Sequence, residues 1–203
     1  MPRRADGAPT PVAPSKGDRT RRRVLDEAAR QFAGGGIAAT SMGDVASAVG
    51  MKAGSLYFHF PSKDALVREV LREGIEQALA HVGNAIDLQR GLGASPGAIL
   101  RAAIEAHVVA LHDLSDYAAV VARSVADRDR AAVDPYLPQE RTYGRFWIEL
   151  IGEAQAAGLL PADQDPRLLR DLLFGAMNAT PMRVRRPEEI TQALAAVLGI
   201  TDR

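Results

Sequence analysis

Apolar residues recur every three to four positions along this chain, in blocks separated by glycine, proline and small hydroxyl residues. That spacing places them on single faces of helices. Val24, Leu25, Ala28, Ala29 and Phe32 form the first such face, and Gly34-Gly35-Gly36 ends it. Thr40 and Ser41 are N-cap candidates for a short helix that buries Val45, Ala46 and Val49, and Gly50 breaks it. A second short helix is predicted from about Lys52 to Phe58. Pro61-Ser62 separates it from a long amphipathic helix with Leu66, Val67, Val70, Leu71, Ile75, Ala78, Leu79 and Val82 inside. After a glycine-rich link at 91–94, further helices are expected to open at Ser95-Pro96, Ser115-Asp116, Asp165-Pro166 and Pro187-Glu188-Glu189. They are expected to end near Leu114, Asp129, Thr180 and Leu198, and another helix spans roughly 138–158. No segment alternates with period two, so no strands are predicted. The pattern predicts an all-α chain of about nine helices.

Composition divides this helical chain. Residues 1–17 carry Pro2, Pro9, Pro11 and Pro14 among Gly, Ala and Ser with no apolar period, and are expected to be a disordered tail. A three-helix head is predicted over 18–64 and a larger helical body over 65–203, with the long helix as the only strong mechanical link between them. Residues 1–63 hold ten Lys and Arg against five Asp and Glu, while 64–203 hold fifteen against twenty. A basic head on an acidic body predicts an anionic partner for the head. The absence of cysteine excludes disulfides, thiolate zinc sites and a cysteine nucleophile. The longest run without Asp, Glu, Lys or Arg is Gln31 to Gly43, far below the ~18 residues of a membrane span. No apolar run follows the N-terminal arginines, so no secretory signal is read there. The expected location is the cytoplasm.

The chain has ten aromatic residues, yet Tyr57, Phe58 and Phe60 fall within four positions, with His59 among them. Consecutive positions on a helix cannot all face one core, so some of these rings face outwards. Three short helices near a basic N-terminus, the second and third joined by a tight glycine turn, describe a helix-turn-helix. Its third helix would enter the major groove of DNA. Lys52, Ala53, Gly54 and Ser55 open that helix with small or flexible side chains that let the backbone approach base edges. Leu56 and Phe60 pack inwards on Val45 and Val49. Tyr57, Phe58, His59 and Lys63 are left at the groove edge, with hydroxyl, imidazole and ammonium suited to phosphate oxygens.

The stretch "TSMGDVASAVGMKAGSLYFHFPSKDAL", residues 40 to 66, resembles the DNA-binding signature of TetR/AcrR-family transcriptional regulators. Thr40 matches the threonine opening the second helix, and Val45-Ala46 matches the aliphatic-alanine pair. Val49-Gly50-Met51 matches the turn, with valine in place of the family's alanine. Gly54, Ser55, Leu56, Tyr57, His59-Phe60, Ser62-Lys63 and Leu66 complete the pattern. The resemblance covers about a third of the chain. It implies a repressor that binds a palindromic operator as a homodimer, with Thr40 and the residues named above contacting DNA. It also implies that the C-terminal helices bind a small apolar or amphipathic effector and form the dimer. Leu169, Leu172, Leu173 and Ala176 on one helix, and Ile190, Leu194 and Val197 on the last, are the expected dimer interface. Ordinary intramolecular core fits each of those stripes equally well.

For the effector, His107 sits on an apolar face, and Tyr143, Phe146, Trp147, Leu150 and Ile151 form a stripe able to line a pocket. Arg123 and Ser124 stand on a helix otherwise rich in Val and Ala. "GAMNATP", 175 to 181, resembles the penultimate helix of acyl-CoA-responsive members of the family, which adds Met177 and Asn178 and an acyl-CoA-like effector. Catalysis finds no support. "GLGASPG" at 91 to 97 misses the dinucleotide spacing, "GGGIAATS" at 34 to 41 lacks a phosphate-loop lysine, and no His-Glu-x-x-His is present. His107 and His112, five apart, turn away from each other. Neither cofactor nor metal is expected. The competing class is a helical protein-interaction module in which the aromatic cluster docks a partner and DNA is not bound.

Overall fold

The computed structural model describes residues 15–111, 115–126, 137–179 and 186–200, and every regular element among them is a helix. These are α1 (Lys16–Gly35), α2 (Met42–Ala48), α3 (Ala53–His59), α4 (Lys63–Gly91), α5 (Pro96–Val109), α6 (Asp116–Ala126), α7 (Leu137–Ala156), α8 (Pro166–Ala179) and α9 (Pro187–Val197). The expected helix ends at Leu114, Asp129 and Thr180 lie outside the described residues.

Local chemistry sets the starts. In α1 the Asp18 N–H donates to Ser15 Oγ (3.1 Å) and the Ser15 N–H donates back to Asp18 Oδ2 (2.9 Å), a reciprocal cap. The helix therefore begins at Lys16, and residues 15–17 leave the tail predicted as disordered. In α2 the same box joins Ser41 and Asp44. Thr40 is not the cap: it is buried, and its hydroxyl donates to the Gly36 carbonyl (3.0 Å). Gly50, at φ 71, makes the turn into α3, where the Met51 N–H donates back to Ala46 O (2.8 Å). Ser62 and Ser95 cap α4 and α5.

The helices enclose two apolar cores. The head core joins Val24, Leu25, Ala28, Ala29 and Phe32 of α1 to Val45 and Ala46 of α2 and Leu56 of α3, with Phe60 beneath them. Leu66, Val67, Val70 and Leu71, the first turns of α4, belong to this core too. Further along α4, Ile75, Ala78, Val82 and Ile86 pass into the body core, around Leu100, Ile104, Trp147 and Ile151. At 29 residues α4 is roughly 44 Å long, enough to serve both.

Helix α4 is not the only link, contrary to the expectation from sequence. Tyr117 and Val120 of α6 lie in the head core against α1. The Tyr117 hydroxyl donates to Asp26 Oδ1 (2.7 Å), and the Arg22 guanidinium covers the Tyr117 ring at 5.3 Å. Arg21 pairs with Glu69 (2.7 Å) and Arg22 with Glu73 (2.9 Å), tying α1 to α4. Helix α6 reaches α1 by crossing α4 in contact at Gly74. A Cβ there would lie 2.6 Å from the Tyr117 carbonyl oxygen and 2.8 Å from Val121 Cγ2, so only glycine permits this approach. Helix α6 of the body thus touches the head directly.

Candidate nucleic-acid interface and candidate ligand cavity

The exposed side of α3 follows from what the head core takes. Leu56 and Phe60 are consumed by packing, and the Arg21 guanidinium closes over the Phe60 ring at 4.9 Å. Lys52, Ala53, Gly54 and Ser55 remain exposed at the start of the helix. A Cβ on Gly54 would meet nothing within 4 Å, so internal packing does not require glycine there. Tyr57 is about half exposed and Phe58 is 89% exposed, with the half-buried His59 edge-on to Phe58 at 5.7 Å. An aromatic ring so exposed gains nothing from the fold.

Two other predicted contacts are engaged elsewhere. Thr40 is turned into the head, as described above. Lys63 is half-buried and donates to the Ala38 carbonyl (3.3 Å), which pins the start of α4 to the loop before α2. The charge count also overstates the head's positive field. Arg21 and Arg22 are paired with carboxylates of α4, and Arg30 with Glu27. The hydrogen bond from Arg72, opposed by burial and assisted by Arg21, holds Glu69 below the usual carboxylate range.

In the body, a cavity of about 80 Å³ opens beside the α4–α6 crossing. Its wall takes Gly74, Ile75 and Ala78 from α4, His107 from α5 with Ala110 and Leu111 just after it, and Ala118, Val121 and Ala122 from α6. Tyr143 of α7 and Phe174 and Asn178 of α8 complete it. His107 is the buried polar centre. Its Nδ1 lies 2.7 Å from the Tyr143 hydroxyl, and its ring stacks on Phe174 at 5.2 Å and meets Trp147 edge-on at 5.6 Å. Burial lowers its pKa from 6.5 to about 4, with the Asn178 side chain working in the opposite direction, so the ring is neutral at pH 7. Burial also raises the Tyr143 phenol above its ordinary range, with Trp147 acting against it. Among the described residues, His107 Nε2 and Trp147 Nε1 are the buried side-chain polar atoms without a hydrogen-bond partner.

His107, Tyr143 and Asn178 therefore come together on one wall. Trp147 and Met177 do not reach it: both are fully buried in the body core behind it. The Ser124 hydroxyl is turned to its own helix, donating to Val120 O (2.8 Å). The Arg123 side chain lies outside the described residues. Sequence reasoning missed the α4 wall and, on α6, chose Arg123 and Ser124 where Ala118, Val121 and Ala122 line the cavity. A glycine in the middle of a long helix is the available signal, because it costs about 1 kcal/mol against alanine and marks close approach.

The expected dimer residues divide. Leu173 and Ile190 are buried in the body's own core, and Leu169 and Leu194 pack against it. Leu172 (62%) and Val197 (84%) are exposed, as are Ala176 and the neighbouring Leu168. Intramolecular packing thus accounts for Leu169, Leu173, Ile190 and Leu194, and leaves an outer apolar stripe on α8 and α9.

A helix-turn-helix head presenting its third helix, on a helical body with a cavity, is the architecture of a helix-turn-helix transcriptional regulator. The chain belongs to the TetR family. The model of bacterial regulatory proteins of the tetR family matches residues 24–70, and that of the tetracyclin repressor-like C-terminal domain matches 93–182. The HTH-type transcriptional repressor KstR2 of Mycobacterium tuberculosis (strain ATCC 25618 / H37Rv) is 30% identical over 190 residues, 87% of this chain and 90% of that protein. Among solved structures, superantigen PfiT superposes with a TM-score of 0.73 at 25% identity, covering 92% of this chain and 97% of that one. AibR in complex with isovaleryl coenzyme A and operator DNA superposes with a TM-score of 0.71 at 20% identity, covering 87% and 96%. No helix among the described residues is long and apolar enough to cross a membrane.

Proposed function

We propose that this chain is a cytoplasmic, ligand-responsive repressor that binds a palindromic operator as a homodimer. A small apolar or amphipathic effector, an acyl-CoA-like molecule among the candidates, enters the body cavity and releases it. The observation that carries this reading is the outer surface of α3. Lys52 to Ser55 stand exposed, Gly54 has no internal reason to be glycine, and the Tyr57 and Phe58 rings project away from a fully packed head. A groove contact explains all three at once, since bases are read from the start of such a helix and phosphates are gripped beside it. AibR, bound to both isovaleryl coenzyme A and operator DNA, is a precedent on the same fold. Two heads related by a two-fold axis read half-sites about one turn apart, ~34–36 Å, or a multiple of it.

Selection from a random duplex pool, followed by salt titration of the winner, tests the reading. Binding is expected to fall steeply with salt, and Lys63→Ala to flatten the log–log slope by about one unit or less, because part of that ammonium is engaged by Ala38. Substitutions at Lys52 or Ser55 are expected to change which bases are preferred, and Tyr57→Phe to weaken all sequences equally. A protein that selects no duplex at low salt is a protein-interaction module, and the repressor reading is then lost.

A further inference from the structure

On α3 the outward direction is set by what faces in. Leu56 is fully buried in the head core. At ~100° per residue, the positions two before and two after it lie about 160° and 200° round the helix. Those positions are Gly54 and Phe58, one turn apart, so together they form the outermost ridge of α3. Single exposed apolar residues are common on protein surfaces, and exposure alone decides nothing. The ridge is more specific. A Cβ on Gly54 would meet nothing within 4 Å, so the glycine serves no packing of the chain itself. It leaves bare backbone against which a partner can come close. One turn on, the Phe58 ring stands 89% exposed, with His59 edge-on to it at 5.7 Å. Beside bare backbone, that ring reaches deepest into whatever α3 meets.

A phenyl ring has neither donor nor acceptor, which restricts what it can meet in a major groove. Base edges there present hydrogen-bonding atoms, with one apolar exception, the C5-methyl of thymine. Phosphate is a poor match, because a ring covering it would strip water and return no hydrogen bond. Residues 52–60, KAGSLYFHF, also hold no Arg, Asn or Gln, the side chains that make paired hydrogen bonds to guanine and adenine. Much of the discrimination made by α3 must therefore come from shape and apolar contact. We infer that Phe58 is a specificity-determining residue of the head, reading the C5-methyl of one thymine in each operator half-site by van der Waals contact. This inference rests on the reading of α3 as the DNA-contacting surface and names the group that its outermost side chain selects. It moves Phe58 from the groove edge, where the sequence pattern put it, to the groove floor.

The test uses the full-length protein and the duplex it selects from a random pool. Each thymine of a half-site is replaced in turn by deoxyuridine, which removes the methyl and keeps every hydrogen-bonding atom. At one position the wild type is expected to lose affinity about fourfold per half-site, the value of one buried methylene-sized group. Phe58→Ala is expected to bind the thymine and deoxyuridine duplexes equally, whereas Phe58→Leu, still apolar, keeps part of the preference. Phe58 is exposed, so both variants are expected to fold like the wild type, which circular dichroism checks. A half-site selected without thymine, or a wild type indifferent to every methyl, overturns the inference while the repressor reading stands. A general loss of affinity in Phe58→Ala with the methyl preference unchanged marks a sugar contact and overturns it too. A protein that selects no duplex at all removes the repressor reading and the inference together.

Discussion

Head and body are made of the same material, amphipathic helices capped by serine and proline, and they finish differently. In the head every large apolar side chain that faces inwards is covered, and the residues left over lie together on α3, within a few consecutive positions. In the body, packing stops short around a cavity whose walls come from five helices and whose polar side chains, His107, Tyr143 and Asn178, stand among apolar ones. A surface that meets an extended partner can be written as one contiguous stretch. A cavity must be assembled from residues far apart in the chain. The head is built to present and the body to enclose, and each prediction below attacks one side of that contrast.

The largest effect is expected at the body's outer stripe. Leu172 is exposed on α8, so Leu172→Asp leaves the fold intact. In the proposed dimer it would bury an unpaired carboxylate, at a cost of several kcal/mol to association. Sedimentation is expected to show folded monomers with operator binding lost. Leu194 is unsuited to this test, because it packs against the body's own core and a charge there would unfold the protein. A wild type that sediments as a monomer at micromolar concentration removes the dimer.

Next in size is the titration of His107. Its folded pKa, about 4, lies below the 6.5 of the exposed group. Between those values the unfolded chain binds the extra proton, so stability falls as pH drops through that window and is flat below it. The shift corresponds to about 3 kcal/mol at 1.36 kcal/mol per unit. Lowered carboxylates such as Asp44 and Glu69 also lose stability towards acid, but equally in both proteins, so the difference between wild type and His107→Gln isolates the imidazole. Urea melts from pH 7 to pH 4 are expected to show the gap; parallel curves would mean that His107 is not neutral and buried in solution.

These tests also mark where the sequence was readable. Helix-turn-helix order, the long α4 and the inward pair Leu56 and Phe60 were legible, because period, caps and turns are local. The hydrogen bonds of Thr40 to Gly36 and of Lys63 to Ala38 were not legible, since they depend on how a loop folds back. His107 was found by polarity on an apolar face, Tyr143 in an aromatic stripe, and Asn178 through the resemblance of residues 175 to 181. Their partners Gly74 and Phe174 were not, because nothing local tells which two helices cross. The α1–α6 contact was invisible for the same reason: Asp26 and Tyr117 are 91 positions apart.

Gly74→Ala asks whether the crossing matters. Helix propensity predicts a gain of about 1 kcal/mol. The added Cβ would instead press on the Tyr117 carbonyl and Val121, and backbone cannot swing away as a side-chain end does. Overpacking costs typically ~1–3 kcal/mol, so a net loss of up to about 2 kcal/mol is expected. A stabilised variant would show that α4 and α6 sit further apart.

The smallest effect is expected from Tyr117→Phe, and it bears most directly on how the two regions communicate. The substitution removes one hydroxyl, donated across the head–body boundary to Asp26, while keeping the ring under Arg22. A hydrogen bond to a charged acceptor contributes about 1.5–3 kcal/mol. Tyr117 is buried, but Asp26 is exposed and shared with Arg22, so the loss in stability is expected near 1 kcal/mol. Position gives it a second consequence. Ala118 and Val121, on the same helix, line the cavity, so a ligand that displaces them moves Tyr117 against α1. Coupling between ligand and operator is reciprocal and typically amounts to ~1–3 kcal/mol. If α6 carries a share of it, Tyr117→Phe is expected to reduce the ligand-induced drop in operator affinity, with ligand affinity for the DNA-free protein nearly unchanged. Operator titrations with and without a bound effector, in wild type and variant, close the thermodynamic cycle. An unchanged coupling factor would return the whole signal to α4.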